Sequence, residues 1–185
     1  MKKKFVLITM VATIMCFVVG CNSTITESKP VSAEDFKTVM EKDGYVVEDM
    51  TENETERPDY LIRCYSASNE NKTVADFHMY IREYENSTEA QTVYDSLINK
   101  YTDWEYFDNL TITQYDDGVR QMYKETTEPA YYIAVLNNDT IMIVNSVDTE
   151  KETVDKYFKQ FNFYVNETTA ENISPEKPRI IRQID

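Results

Sequence analysis

The sequence predicts an α+β domain. Its centre is one mainly antiparallel sheet of about seven strands, with three helices packed on it in the order α-β-β-β-α-β-β-β-β-α. Three observations lead there. Several short segments alternate apolar and polar residues with a period of two. Three longer segments carry apolar stripes at helical spacing. Compact polar turns join neighbouring strands, so hairpins dominate the connections.

The elements follow in order. Ser32 and Asp35, three residues apart, resemble a capping box, and Phe36, Val39 and Met40 share one helical face. Gly44 ends that helix as a C-terminal cap. Tyr45 to Met50 reads as a short strand, and 51–57 as a solvated loop. Tyr60 to Ala67 and Thr73 to Tyr84 read as strands around the turn Ser68-Asn69-Glu70-Asn71. In the second, Ala75, Phe77, Met79 and Ile81 alternate with Asp76, His78, Tyr80 and Arg82, which places the polar set outward.

Ser87 to Tyr101 carries the cleanest helical stripe: Ala90, Val93, Tyr94, Leu97 and Ile98. Asn109–Tyr115 and Val119–Glu125 flank Asp116-Asp117-Gly118, a hairpin signal. Tyr131–Leu136 and Thr140–Val147 flank Asn137-Asn138-Asp139 and are apolar on both faces, as central strands are. A last helix over Thr149–Phe161 turns Val154, Tyr157, Phe158 and Phe161 inward. The tail from Asn166 holds Pro175 and Pro178 and reads as mobile.

The N-terminus carries an address. Lys2, Lys3 and Lys4 precede an apolar run from Phe5 to Val19, the layout of a secretion signal. The run is shorter than the roughly 20 residues a membrane-spanning helix needs. Val18-Val19-Gly20-Cys21 resembles the lipobox of bacterial lipoproteins. With the general layout, it makes the chain similar to the small surface lipoproteins of Gram-positive bacteria. The resemblance covers residues 1–21. It implies cleavage before Cys21 and a diacylglyceryl group on that thiol, leaving the protein on the outer face of the cell membrane. Two acyl chains give a stable anchor where one binds only marginally. The domain plan is then a signal peptide at 1–20, a lipidated start and tether at 21–31, one domain at 32–165 and a tail at 166–185.

Composition narrows the partners. The chain has 19 basic and 33 acidic residues and a net charge of −14, and loss of Lys2–Lys4 makes it more acidic still. That argues against nucleic acid and against broad attraction to an anionic bilayer. A cell-surface protein or a cationic partner stays compatible. Of three cysteines, Cys16 leaves with the signal and Cys21 is lipidated, so Cys64 stands alone without a disulfide. Tyr60 and Ile62 place Cys64 on a buried strand face, as a structural thiol. Sequons at Asn53, Asn71 and Asn109 follow from a chain rich in Asn and Thr.

The chemistry is sparse. His78 is the one histidine, and Asp76, His78 and Tyr80 project to the same side of their strand. They are candidate binding residues, as is Trp104 in the aromatic cluster Tyr101, Trp104, Tyr106 and Phe107. No Gly-x-Ser-x-Gly, His-Glu-x-x-His or Gly-rich phosphate loop is present, and there are only 3 glycines. No catalytic residue, metal or cofactor is implied. Glu52, Glu54 and Glu56 alternate in a loop but lack the rest of a calcium loop. The reading is a lipid-anchored, non-catalytic binding or interaction domain. The alternatives are a small-solute-binding lipoprotein and an envelope-acting hydrolase using the Asp76, His78 and Tyr80 face.

Overall fold

The computed structural model describes residues 29–52, 59–69, 77–102, 110–127 and 129–174, with side chains at all of these except 100–102. The chain begins with α1 (Ala33–Lys42). Ser32 caps it by accepting the Asp35 N–H at 3.1 Å, and its hydroxyl donates to Asp35 Oδ2 at 2.8 Å. The box therefore closes side chain to side chain. At the other end Gly44 adopts φ +89°, a conformation open to glycine at no steric cost. Its N–H donates to Glu41 and that of Tyr45 to Met40, which satisfies the last carbonyls of the helix.

Eight strands follow among the described residues: β1 (Val46–Asp49), β2 (Leu61–Ser68), β3 (Phe77–Tyr84), β4 (Thr111–Asp116), β5 (Arg120–Thr127), β6 (Ala130–Asn137), β7 (Thr140–Val147) and β8 (Glu171–Asn172). Two more helices, α2 (Ser87–Thr102) and α3 (Lys151–Gln160), interrupt the series. A single 3-10 turn, Asp148–Glu150, leads into α3. The strands make one sheet in the order β1-β2-β3-β7-β6-β5-β4-β8, and every pairing is antiparallel. The α+β class and the antiparallel sheet are as the sequence predicts. The strand count is corrected from seven to eight. β8 has two residues, too few to show any periodicity, and it follows α3 in a segment assigned to the tail.

The sheet has helices on both faces. On the first face α1 and α3 bury Phe36, Met40, Val154, Tyr157 and Phe158 against Phe77, Met79, Ile133, Val135, Met142 and Val144. On the second, α2 buries Ala90 and Tyr94 against Tyr84, Tyr123, Ala134, Leu136 and Ile141. Strand periodicity assigns the two sets to opposite faces. β6 and β7 are covered on both sides over most of their length, which is why Ile133–Leu136 and Ile141–Val144 are apolar without a break.

Three local features differ from expectation. Cys64 is buried and in no disulfide among the described residues, but Ile62 is 44% exposed. A register shift between Leu61 and Arg63 adds a residue to β2, so Leu61 and Cys64 turn inward and Ile62 outward. The second set along β3 is also less solvated than alternation implies: Arg82 is half-buried and Tyr84 lies beneath α2. Residues 166–174 return to the sheet: Ala170 packs on the first-face core, and Ile173 N–H donates to Gln114 beyond β8.

Candidate functional site

Of the sequence-predicted site residues, Cys21, Asp76 and Trp104 lie outside the described residues. His78 and Tyr80 sit two apart on β3 and share the second face. Their rings are 4.2 Å apart at 32°, and the Tyr80 hydroxyl lies 3.1 Å from His78 Nδ1. Partial burial pushes the His78 pKa below its ordinary 6.5, and the Glu48 carboxylate opposes that shift.

Cross-strand register extends this pair into a row. Asn145 on β7 is opposite His78, Tyr132 on β6 is opposite Asn145, and Glu125 on β5 is opposite Tyr132. Glu125 is half-buried, which raises its pKa, while the Tyr123 hydroxyl donates to Oε1 at 2.5 Å and opposes the rise. The row is a polar strip, and on its other side Ser68 and Ser66 of β2 lie opposite His78 and Tyr80. Neither His78 nor Tyr80 lines any of three hollows of about 370, 330 and 460 Å³.

The 370 Å³ cavity has the features of a ligand site: an apolar floor and a few convergent polar groups. It lies on the first face, between α3, the ends of β5 and β6, and the arm 164–168. Its floor is Met122, Ile133, Val154, Phe158 and Val165, all at most 7% exposed. These positions follow from local pattern. Met122, Lys124 and Thr126 alternate along β5, Tyr131 and Ile133 along β6, and Val154 and Phe158 are one turn apart on α3.

Charge gathers at the wall. Lys124 Nζ meets Glu167 Oε1 at 3.0 Å, bridging sheet and arm. Lys151 Nζ meets Asp155 Oδ2 at 2.7 Å along α3, and that hydrogen bond raises the lysine pKa. Tyr131 also lines the cavity, and its buried hydroxyl has no hydrogen-bond partner. Burial pushes its pKa up to about 12; Ser146 eases the rise, while Asp155, Asp148 and Glu150 add to it. Ser146 is the residue opposite across the β6–β7 pair.

Among the described residues, no group of three His, Cys, Asp or Glu side chains is placed to hold a metal ion, and no helix is long and apolar enough to cross a membrane. No family model matches the chain, and no curated protein or solved structure matches it. Sequence reasoning missed this cavity. The apolar lining residues on strand and helix read as core and the charged ones as solvated surface, and the arm that completes the wall has no periodic pattern.

Proposed function

We propose that the chain is a lipid-anchored protein on the outer face of the cell membrane, whose folded domain is a non-catalytic module for a small ligand. The anchor is the diacylglyceryl group on Cys21, supported by the lipobox resemblance and the preceding basic and apolar segments. The binding role rests on one observation, the 370 Å³ cavity with its apolar floor and paired charged wall. Such a hollow favours a small molecule over a protein partner, which needs a broad surface. Its carboxylates Asp155 and Glu167 are held in ion pairs with Lys151 and Lys124, which suits them to shaping a binding wall.

Two measurements test this reading. Metabolic labelling with an alkyne fatty acid in a Gram-positive host should mark the protein and hold it in the membrane fraction. Cys21→Ser should lose the label and release the domain to the medium; retention of both would sink the anchor. Methyl-resolved NMR of the anchored protein in nanodiscs, titrated with small amphipathic compounds, should shift Ile133, Val154 and Val165. If those methyls answer to no compound, the cavity is not a binding site.

A further inference from the structure

We propose that the second face of the sheet carries a groove for a neutral oligosaccharide. This site is separate from the first-face cavity and does not rest on the binding role proposed for it.

The groove follows from where α2 sits. That helix packs closest over β3, β7 and β6, so β5 and β4 form a floor beside it. Two of the hollows, of about 330 and 460 Å³, lie along this line, and Gln121 of β5 borders both. Its Oε1 accepts a hydrogen bond from Gln91 Nε2 of α2 at 3.1 Å, so the two hollows adjoin at one bridge. Strand alternation puts Gln114 and Gln121 on the same face as Ile112 and Tyr123 of the second core. The α2 residues that line the groove run from Ser87 to Asn99, about 18 Å of helix at about 1.5 Å per residue. Ile173, just past β8, forms the outer rim. Each hollow is of ligand-site size, so the groove holds more than one sugar ring.

The lining selects the ligand. Among the described residues, Asp95 is the one charged residue that lines either hollow, although 28% of the chain is charged. Its Oδ1 already accepts from Gln91 at 2.9 Å. An ion moved out of water needs a counter-charge, and this wall supplies almost none. It supplies amides instead: Gln91, Asn99, Gln114, Gln121 and Asn138. A primary amide holds donors and an acceptor side by side, which matches a sugar hydroxyl, itself both donor and acceptor. Gln114 uses its backbone on Ser174 and Ile173, and its side-chain amide makes no hydrogen bond among the described residues. The same holds for the Asn138 side chain at the other end of the groove. Ile98, Leu136 and Ile173 add apolar patches for the C–H faces of the rings. A peptide is the poorer fit. Extended peptides draw affinity from open strand edges, whereas this floor is a sheet face whose backbone groups are paired in the β4–β5 and β5–β6 ladders.

The test titrates glycans into the anchored protein in nanodiscs while the Ile98, Leu136 and Ile173 methyls are followed by NMR. The neutral probes are cellobiose, cellotetraose and tetra-N-acetylchitotetraose; tetragalacturonate and acetyl-tetraglycine amide are the charged and peptide comparisons. A neutral tetrasaccharide should shift those three methyls and leave Ile133, Val154 and Val165 of the first-face cavity still. Cellotetraose should bind about tenfold more tightly than cellobiose, as further hydrogen bonds in the second hollow allow. Gln114→Ala combined with Asn138→Gly should weaken the tetrasaccharide about tenfold, by the loss of one amide contact in each hollow. Glycine keeps the left-handed backbone of Asn138, at φ +55°. If the double variant does not fold, the side-chain amide resonances of Gln114 and Asn138 in the native chain make the same test, and they should move with the tetrasaccharide. Unchanged affinity in the folded variant, or amide resonances that stay in place, overturns the groove. Tighter binding of tetragalacturonate or of the peptide overturns the ligand class. Equal binding of cellobiose and cellotetraose, or silence of the three methyls toward both neutral tetrasaccharides, overturns the proposal, and each of these outcomes leaves the first-face cavity untouched.

Discussion

The Tyr157 hydroxyl donates to Asp43 Oδ2 at 2.8 Å, joining α3 to the residue that ends α1. Lys156 Nζ reaches the same oxygen at 3.2 Å. The Tyr157 ring itself stacks with Phe161 at 5.7 Å and meets Tyr45 edge-on at 5.7 Å. The two first-face helices are thus locked to each other as well as to the sheet beneath the cavity.

This lock has a pH signature. The Asp43 pKa lies below its ordinary 3.8, first because of the Tyr157 hydrogen bond and then because of Lys156. A carboxyl depressed in the folded state adds stability that is present above its unfolded pKa and lost as pH falls through the folded one. Tyr157→Phe should therefore melt at a lower temperature than wild type at pH 7. The gap should narrow once the pH drops below 3.8. A gap of constant size down to pH 2 would show that the hydroxyl does not act through the carboxylate.

The bulge in β2 gives a second prediction. Leu61 is 3% exposed and Ile62 44% exposed. Leu61→Ala should cost about 2–5 kcal/mol, the range for a buried leucine truncated to a cavity. Ile62→Ala should stay within about 0.5 kcal/mol, as surface changes do. Denaturant melts of the two variants decide it, and a reversed order would mean that β2 carries no extra residue there.

These cases separate what was legible in the sequence from what was not. The start and stop of α1 were legible because Ser32, Asp35 and Gly44 each have one local job. The β6–β7 hairpin was legible because Asn137, Asn138 and Asp139 interrupt two apolar runs, and Asn138 adopts φ +55° there. The bulge was not, because an extra residue at Ile62 leaves the composition of the strand unchanged. The burial of Tyr84 depends on where α2 crosses the second face, a long-range fact. The cavity depends on the arm from Tyr164 to Thr168, whose placement is set by contacts distant in sequence, such as Lys124 with Glu167.

His78 provides a clean spectroscopic test, since the chain has 1 histidine and its ring resonances need no disentangling. NMR titration should return a pKa below 6.5, because partial burial disfavours the imidazolium. Glu48→Gln should lower it further, since that carboxylate is the group opposing the shift. The sign for stability follows: the contribution is present above 6.5 and is lost as pH falls through the folded value. A measured pKa at or above 6.5 would mean that the ring is more solvated than its place on β3 implies.

The end of α3 is fixed by two asparagines, and they should respond differently to substitution. Asn162 follows the helix at φ +67°, and its N–H and that of Phe163 return to the carbonyls of Lys159 and Phe158. Its own carbonyl accepts from Asn137 Nδ2 at 2.8 Å, and its side chain donates to the Lys29 carbonyl at 2.9 Å. One residue therefore connects the β6–β7 turn, α3 and the N-terminal approach to α1. Asn137 is 2% exposed, so Asn137→Ala strips a buried donor and should cost about 1–3 kcal/mol. Asn162→Ala forces a Cβ-bearing residue without a local side-chain hydrogen bond into left-handed backbone, at about 1–2 kcal/mol. Asn162→Gly gives up only the exposed bond to Lys29 and relieves the backbone, so its net change should stay within about 1 kcal/mol. Urea melts of the three variants should rank glycine well above alanine at 162. If the two substitutions at 162 prove equal, the left-handed turn is not what sets the end of α3, and the side-chain bond to Lys29 carries the effect instead.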